Sequence, residues 1–113
     1  MDKFYEITDY AIKDDEKALK TVFYSTDATS GSVWVIQPGQ TLAKHSHNNS
    51  DDIWVIIKGE GIFYPTPDEE ISFHAGQVIV NKKGECHGAK NTGSEDIVFV
   101  SIVGPVPADY NAL

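Results

Sequence analysis

Cysteine is nearly absent: Cys86 is the only one in 113 residues. A single thiol cannot close an internal disulfide, which argues against a small secreted scaffold held by cross-links. Basic residues are scarce too, nine against seventeen acidic ones, for a formal net charge of −8. Such a surface repels phosphate backbones and anionic lipid, so nucleic-acid and membrane partners are poor fits. No apolar run approaches membrane-spanning length, and the opening MDKFYEITDY has no apolar h-region of a secretory leader. Internal repeats and low-complexity segments are lacking, and no interior segment is long enough for the crossover helix of a parallel sheet. What is present is ordinary globular composition, 41% hydrophobic and 23% charged. The expectation is one soluble, cytoplasmic domain over residues 1–113, able to bury roughly two-thirds of its unfolded surface.

From Thr21 onward, short runs rich in Val, Ile, Phe, Tyr and Trp alternate with Gly, Pro, Asn and Asp clusters. The runs are Thr21–Tyr24, Val33–Gln37, Ile53–Lys58, Gly61–Tyr64, Ile71–His74, Val78–Val80, Glu85–Lys90 and Ile97–Val103. Turns are marked by Pro38-Gly39, Gly59-Glu60-Gly61, Pro65–Glu70, Lys82-Lys83-Gly84 and Thr92-Gly93-Ser94. Regular short strands with frequent turns predict an antiparallel sandwich or barrel. The charged N-terminal extension, residues 1–20, follows no sustained helical period, and a short helical turn is expected around Asp14–Lys20. The tail beyond Pro105 and Pro107 is expected to lie along the surface.

The run Ile53-Trp54-Val55-Ile56-Ile57 is apolar on both faces. A half-buried antiparallel strand alternates, so either the N-terminal extension or a second subunit must cover its outer face. A homodimer is the expectation, with coverage by the chain's own first segments as the alternative.

Of four histidines, His45 and His47 are separated by one residue. On a strand that spacing projects both imidazoles from one face, within reach of one ion at about 2.0–2.1 Å from each nitrogen. A polar turn then leads to Asp51-Asp52 at the head of the next strand, and strand parity favours Asp52, which shares a face with Trp54 and Ile56. His87 lies on a late strand that a closed sheet brings alongside. Three imidazoles and a carboxylate suit a divalent first-row metal, with Fe, Mn, Ni, Co, Cu and Zn not distinguishable. Cys86, next to His87, should face away from the ion as a small buried hydrophobe, and His74 reads as a surface or packing residue.

The glycines around these residues are regularly placed. Gly39 is followed by five residues and His45-Ser46-His47, then by four residues and Asp52, then by six and Gly59. A second block runs Gly76, five residues, Lys82-Lys83-Gly84, two residues, His87, three residues, Asn91. Together, over residues 39–91, these resemble the two motifs of the cupin superfamily. The resemblance implies a small all-β barrel, a double-stranded jelly roll, with a metal in its mouth. It implies His45, His47, His87 and the acidic position as ligands. Two positions depart from the family pattern. Lys82 stands where proline is usual, which should alter only a turn. Asp52 stands where glutamate is usual, about 1.5 Å shorter in reach, so it either ligates or acts through water or a histidine.

A cation held from one side leaves positions open to the cavity, where a substrate chelates through two oxygens or binds beside O₂. The resemblance therefore implies a metal-dependent enzyme acting on a small keto acid, hydroxy acid or sugar derivative, by enolate chemistry or dioxygenation. A non-catalytic metal or ligand binder, serving as sensor or accessory protein, is the competing reading, since fold alone does not assign an activity. Trp34, Ile36, Trp54, Phe63, Tyr64 and Phe99 are candidate pocket residues, and Tyr24, Gln37 and Tyr64 are candidates for proton transfer. The polar stretch Ser25–Ser32 is either a flap over the mouth or an ordinary connection.

Overall fold

The computed structural model describes residues 3–113; Met1 and Asp2 of the N-terminal extension lie outside the described residues. A four-residue helix, α1 (Ile7–Tyr10), is followed by β1 (Leu19–Ser25), β2 (Ser30–Ile36), β3 (Thr41–Ser46), β4 (Asp51–Lys58) and β5 (Glu60–Phe63). Then come β6 (Ile71–His74), β7 (Val78–Asn81), β8 (His87–Lys90), β9 (Ile97–Gly104) and β10 (Asn111–Ala112). Two five-stranded antiparallel sheets result, in the orders β1-β2-β9-β4-β7 and β10-β3-β8-β5-β6. Among the described residues no helix is long and apolar enough to cross a membrane.

One local expectation is corrected, and a second is made more specific. The helical turn is at Ile7–Tyr10, whereas Asp14–Lys17 is a tight turn closed by a bridge that leads into β1. The β-branched and aromatic residues from Leu19 onward favour the strand over a helix there. The C-terminal tail lies along the surface as expected and is anchored there: Asn111 pairs with Ser46 and Ala112 with His45, covering what would be the free edge of β3.

The core lies between the sheets, where Trp54, Ile56, Ile36, Ile97, Phe99, Leu42, Phe63, Phe73 and Ala89 form one cluster. On β4 the inward face carries Asp52, Trp54 and Ile56, all buried. Its outward residues Ile53, Val55 and Ile57 are 37%, 37% and 44% exposed. The described residues of the N-terminal segment do not cover them. These residues pack instead on β1 and β2, where Tyr5 and Tyr10 lie 5.4 and 5.7 Å from Phe23 and the outer-face residues Val33 and Val35 are buried. Apolar faces elsewhere in the same sheet, Val78 and Val80 of β7, stay more than half exposed.

Gly59 makes the sharp turn from β4 to β5 possible. Its φ is +87°, and a Cβ there would meet Asp96 O at 2.6 Å. Both conditions admit only glycine.

Candidate metal centre

A β-bulge brings the first imidazole inward. Leu42 pairs with Ala89 and His45 with His87, so β3 spends three residues where β8 spends two. Strict alternation from the buried Leu42 would turn Lys44 and Ser46 to the interior. The extra residue reverses this parity, and His45 and His47 face the cavity instead. Gly88 sits against the bulge: a Cβ there would lie 3.0 Å from both Leu42 O and Lys44 Cα.

His87 opens β8 directly opposite His45, and Asp52 enters from β4 in the other sheet. Ring centroids are 4.1 Å apart for His45 and His87, and 5.0 Å apart for His47 with each of the others. One ligand atom from each of His45, His47, Asp52 and His87 lies within 4.8 Å of all the rest. Asp51, the competing carboxylate, points elsewhere and accepts the Lys83 main-chain N–H at 3.0 Å. The departure at Lys82 is confined to its turn, where its N–H donates to Glu85 Oε1 at 2.8 Å.

Each imidazole has its Nδ1 at a main-chain carbonyl: His45 at Ala43 (2.8 Å), His87 at Glu85 (3.3 Å) and His47 at Asp109 (2.5 Å). With Nδ1–H donating, the neutral ring presents the Nε2 lone pair. His47 Nε2 and His87 Nε2 lie 3.6 and 3.2 Å from Asp52 Oδ2. The other carboxylate oxygen, Oδ1, accepts the Ser101 hydroxyl at 2.6 Å.

Burial holds His45 down at about 4, with the neighbouring His87 and His47 adding to the effect against the Ala43 carbonyl. The Asp52 carboxylate raises His47 above its ordinary value despite burial. Burial alone would raise Asp52, but the two imidazoles and the Ser101 hydroxyl outweigh it and hold the carboxyl well below the usual range.

The donor set fits a divalent cation. His87 Nε2 is buried and makes no hydrogen bond, its 3.2 Å approach to Asp52 being proximity without donor geometry. Lone pairs converging on one point repel unless a positive charge lies among them. Ligands at about 2.1 Å from one ion sit about 3.0–3.4 Å from their neighbours, close to the Asp52–histidine separations. These four residues could hold a metal ion.

His45, His47 and Asp52 line a cavity of about 810 Å³, together with Trp34, Leu42 and Trp54, with Ser25, Ser30, Ser32 and Ser101, with Lys20 and Asp27, and with the tail residues Val106, Pro107, Ala108 and Tyr110; His87 is buried beside them and does not line it. Trp34 and Trp54 are thus at the cavity wall. Ile36, Phe63 and Phe99 sit deeper, in the core cluster, because their strand positions are farther along the inward face than the mouth. Tyr64 stacks under Lys44 Nζ at 4.6 Å rather than lining the cavity.

Tyr24 and Gln37 are occupied away from the site. The Tyr24 hydroxyl pairs with Thr29 Oγ1 at 2.7 Å, and the Gln37 amide donates to Asp14 O at 2.8 Å. The polar stretch before β2 is a hairpin turn closed by Thr26 N–H to Thr29 O at 2.8 Å. Cys86 is buried outside the ligand group and burial pushes its thiol up, while His74 is exposed.

Ser101, Asp109 and Tyr110 were not singled out by the sequence. A hydroxyl on the inward alternation of an otherwise apolar strand was a readable signal for Ser101. Nothing local marked the other two.

Comparison with known proteins agrees with this geometry. The family model described as "Cupin domain" matches residues 32–103, more than half of the chain. An "oxalate-binding protein" of Thermotoga maritima is 31% identical over 68 residues, 60% of this chain and 55% of that one. The match thus spans little more than half the length of that curated relative. A Klebsiella pneumoniae crystal structure, an uncharacterized protein with a double-stranded β-helix domain, superposes with a TM-score of 0.93 at 29% identity, covering 97% of this chain and 96% of that one. A predicted oxalate decarboxylase from T. maritima superposes with a TM-score of 0.71 at 24% identity, over 79% and 81% of the two chains. Two antiparallel sheets, a His/Asp cluster in their mouth and the family match lead to one conclusion: this chain belongs to the cupin-domain family.

Proposed function

We propose that the protein holds one divalent metal ion per subunit through His45, His47, His87 and Asp52, and uses it on a small oxygenated metabolite. The observation that carries this reading is the convergence of the three imidazoles and one carboxylate oxygen, with His45, His47 and Asp52 of the group lining the cavity. When bound, such an ion polarises a chelated carbonyl or carboxylate and supports enolate chemistry or, with iron, dioxygenation. The chain's own residues supply the rest. Trp34 and Trp54 give the cavity an apolar floor, the serines offer hydroxyls to a keto acid, hydroxy acid or sugar derivative, and Lys20 offers a counter-charge to a carboxylate. The name of the T. maritima relative, an oxalate-binding protein, supports an oxyacid that chelates through two oxygens.

A second reading, a non-catalytic binder acting as sensor or accessory protein, is favoured by the displacement of Tyr24 and Gln37 from the cavity. Both readings suit a homodimer closed over the outer face of β4 and β7, and a cytoplasmic chain whose one thiol stays reduced.

The deciding experiment is elemental analysis of protein purified without chelator or histidine tag, beside a His47→Ala variant. The wild type should carry near-stoichiometric metal and the variant little, with the barrel still folded. Full retention by the variant would refute the ligand assignment. Oxygen uptake and product analysis with candidate keto and hydroxy acids then separate enzyme from binder.

A further inference from the structure

Two of the three imidazoles are oriented by their own strand neighbourhoods, and the third is not. Ala43 O and Glu85 O lie two residues upstream of the rings they meet. His47 Nδ1 instead meets the carbonyl of Asp109, 62 residues downstream. That carbonyl is itself anchored. The Asp109 carboxylate accepts the main-chain N–H groups of Asn48 and Asn49, both at 3.0 Å, and Asn111 Nδ2 at 2.9 Å. The residue that holds the His47 ring therefore also clamps the turn leaving His47.

The flanks of Asp109 are tied down as well. Upstream, the Ser50 hydroxyl donates to Pro105 O, and downstream Leu113 N–H donates to Lys44 O at 3.1 Å. Tyr110 lays its ring on His45, centroids 5.1 Å apart and planes 18° from parallel. Apart from the Asn111–Asp109 bond inside the tail, these contacts join the tail to residues 44–50, the segment that carries the His-x-His pair.

We infer that residues 105–113 are a strap that completes the metal centre, with Asp109 as a positioning residue: its carboxylate locks the 47–49 turn and its carbonyl keeps His47 Nε2 aimed at the ion. The inference rests on the metal reading proposed above. The physical reason is that a lone imidazole can rotate and exchange tautomers, and only an outer partner removes that freedom before the ion arrives. Such partners are worth about ten- to hundredfold in metal affinity. The same strap forms one wall of the cavity, so ion retention and pocket closure depend on one segment.

The test compares wild type, Asp109→Ala and Asp109→Asn, using Co²⁺ as the probe. Asp109→Ala should weaken Co²⁺ binding about tenfold and alter its visible ligand-field spectrum. Asp109→Asn, which keeps one acceptor oxygen, should recover most of the loss. Imidazole ¹⁵N spectra of the metal-free protein, recorded where the rings are neutral, give a readout independent of the ion. His47 should be the Nδ1–H tautomer in wild type and a mixture in Asp109→Ala, with His45 and His87 unchanged. Unaltered Co²⁺ affinity together with an unaltered His47 tautomer in Asp109→Ala would overturn the strap. A wild type that takes up no Co²⁺ overturns the metal reading instead, and the tautomer comparison still decides what Asp109 does to His47.

Discussion

The Ser101 hydroxyl donates to Asp52 Oδ1 at 2.6 Å across neighbouring strands, with both side chains buried. This bond leaves Asp52 Oδ2 for the imidazoles and fixes which oxygen of the carboxylate faces the proposed ion. It also compensates for the shorter aspartate side chain by removing its freedom to swing away.

Ser101→Ala should therefore act on both stability and metal binding. Removing the donor leaves a buried carboxylate oxygen unpaired, at a cost of about 2 kcal/mol. Co²⁺ affinity should fall about tenfold. Urea denaturation and calorimetric titration measure the two effects separately, and a variant with unchanged affinity would reduce Ser101 to a packing residue.

Gly88→Ala addresses the bulge. The new Cβ would lie 3.0 Å from Leu42 O and Lys44 Cα, both main-chain atoms with little room to yield. The variant should lose about 1–3 kcal/mol, in the range of overpacking. Its metal affinity should drop as well, because shifting the bulge moves His45. Loss of stability with metal affinity retained would show that His45 does not depend on the bulge.

Acid should weaken the metal-free protein. An unfolded His45 takes its proton near 6.5, the folded one only at about 4. Between those values the unfolded chain binds more protons, so stability falls as pH drops through this window, by on the order of 2 kcal/mol from this group. Asp52 acts in the same sense lower down, its contribution being lost as pH falls below the ordinary carboxyl value of 3.8. His47 opposes them, since its raised value adds stability below 6.5 that disappears as pH rises through the folded value. Denaturation midpoints of chelator-treated protein at about pH 4.5 and pH 7 check the sum. A midpoint that rises on acidification would contradict the dominance of His45.

Val55→Lys tests the proposed dimer. Val55 lies on the outer face of β4 beside Val78, and neither side chain touches the cavity. Light scattering should find wild type as a dimer and the variant as a monomer, with metal content unchanged. A wild type that is monomeric at high concentration would remove the dimer from the proposal.

The strands, the two-sheet class and the four candidate ligands were readable because each depends on short-range rules. Period-two alternation assigned Asp52 to the face of Trp54 and Ile56, and that is the face that points inward. Strand spacing paired His45 with His47, and the resemblance to the two cupin motifs added His87. The same alternation, applied along β3 from Leu42, would have misdirected His45, because a bulge is a property of two strands and appears only when β8 is laid beside β3. The pocket candidates Ile36, Phe63 and Phe99 failed to reach the wall for a related reason. Inward direction follows from parity, but depth along the barrel follows from register.

What the sequence by itself determined was which chemistry the chain can offer: nitrogen and oxygen donors at strand spacing, few cations, one thiol, and glycines where the turns need positive φ. Tertiary structure alone decided how those donors are aimed. The partner of His47 comes from Asp109 and the partner of Asp52 from Ser101, at separations of 62 and 49 residues. Contacts so distant in sequence leave no periodic trace, because chain closure rather than local backbone preference brings them together.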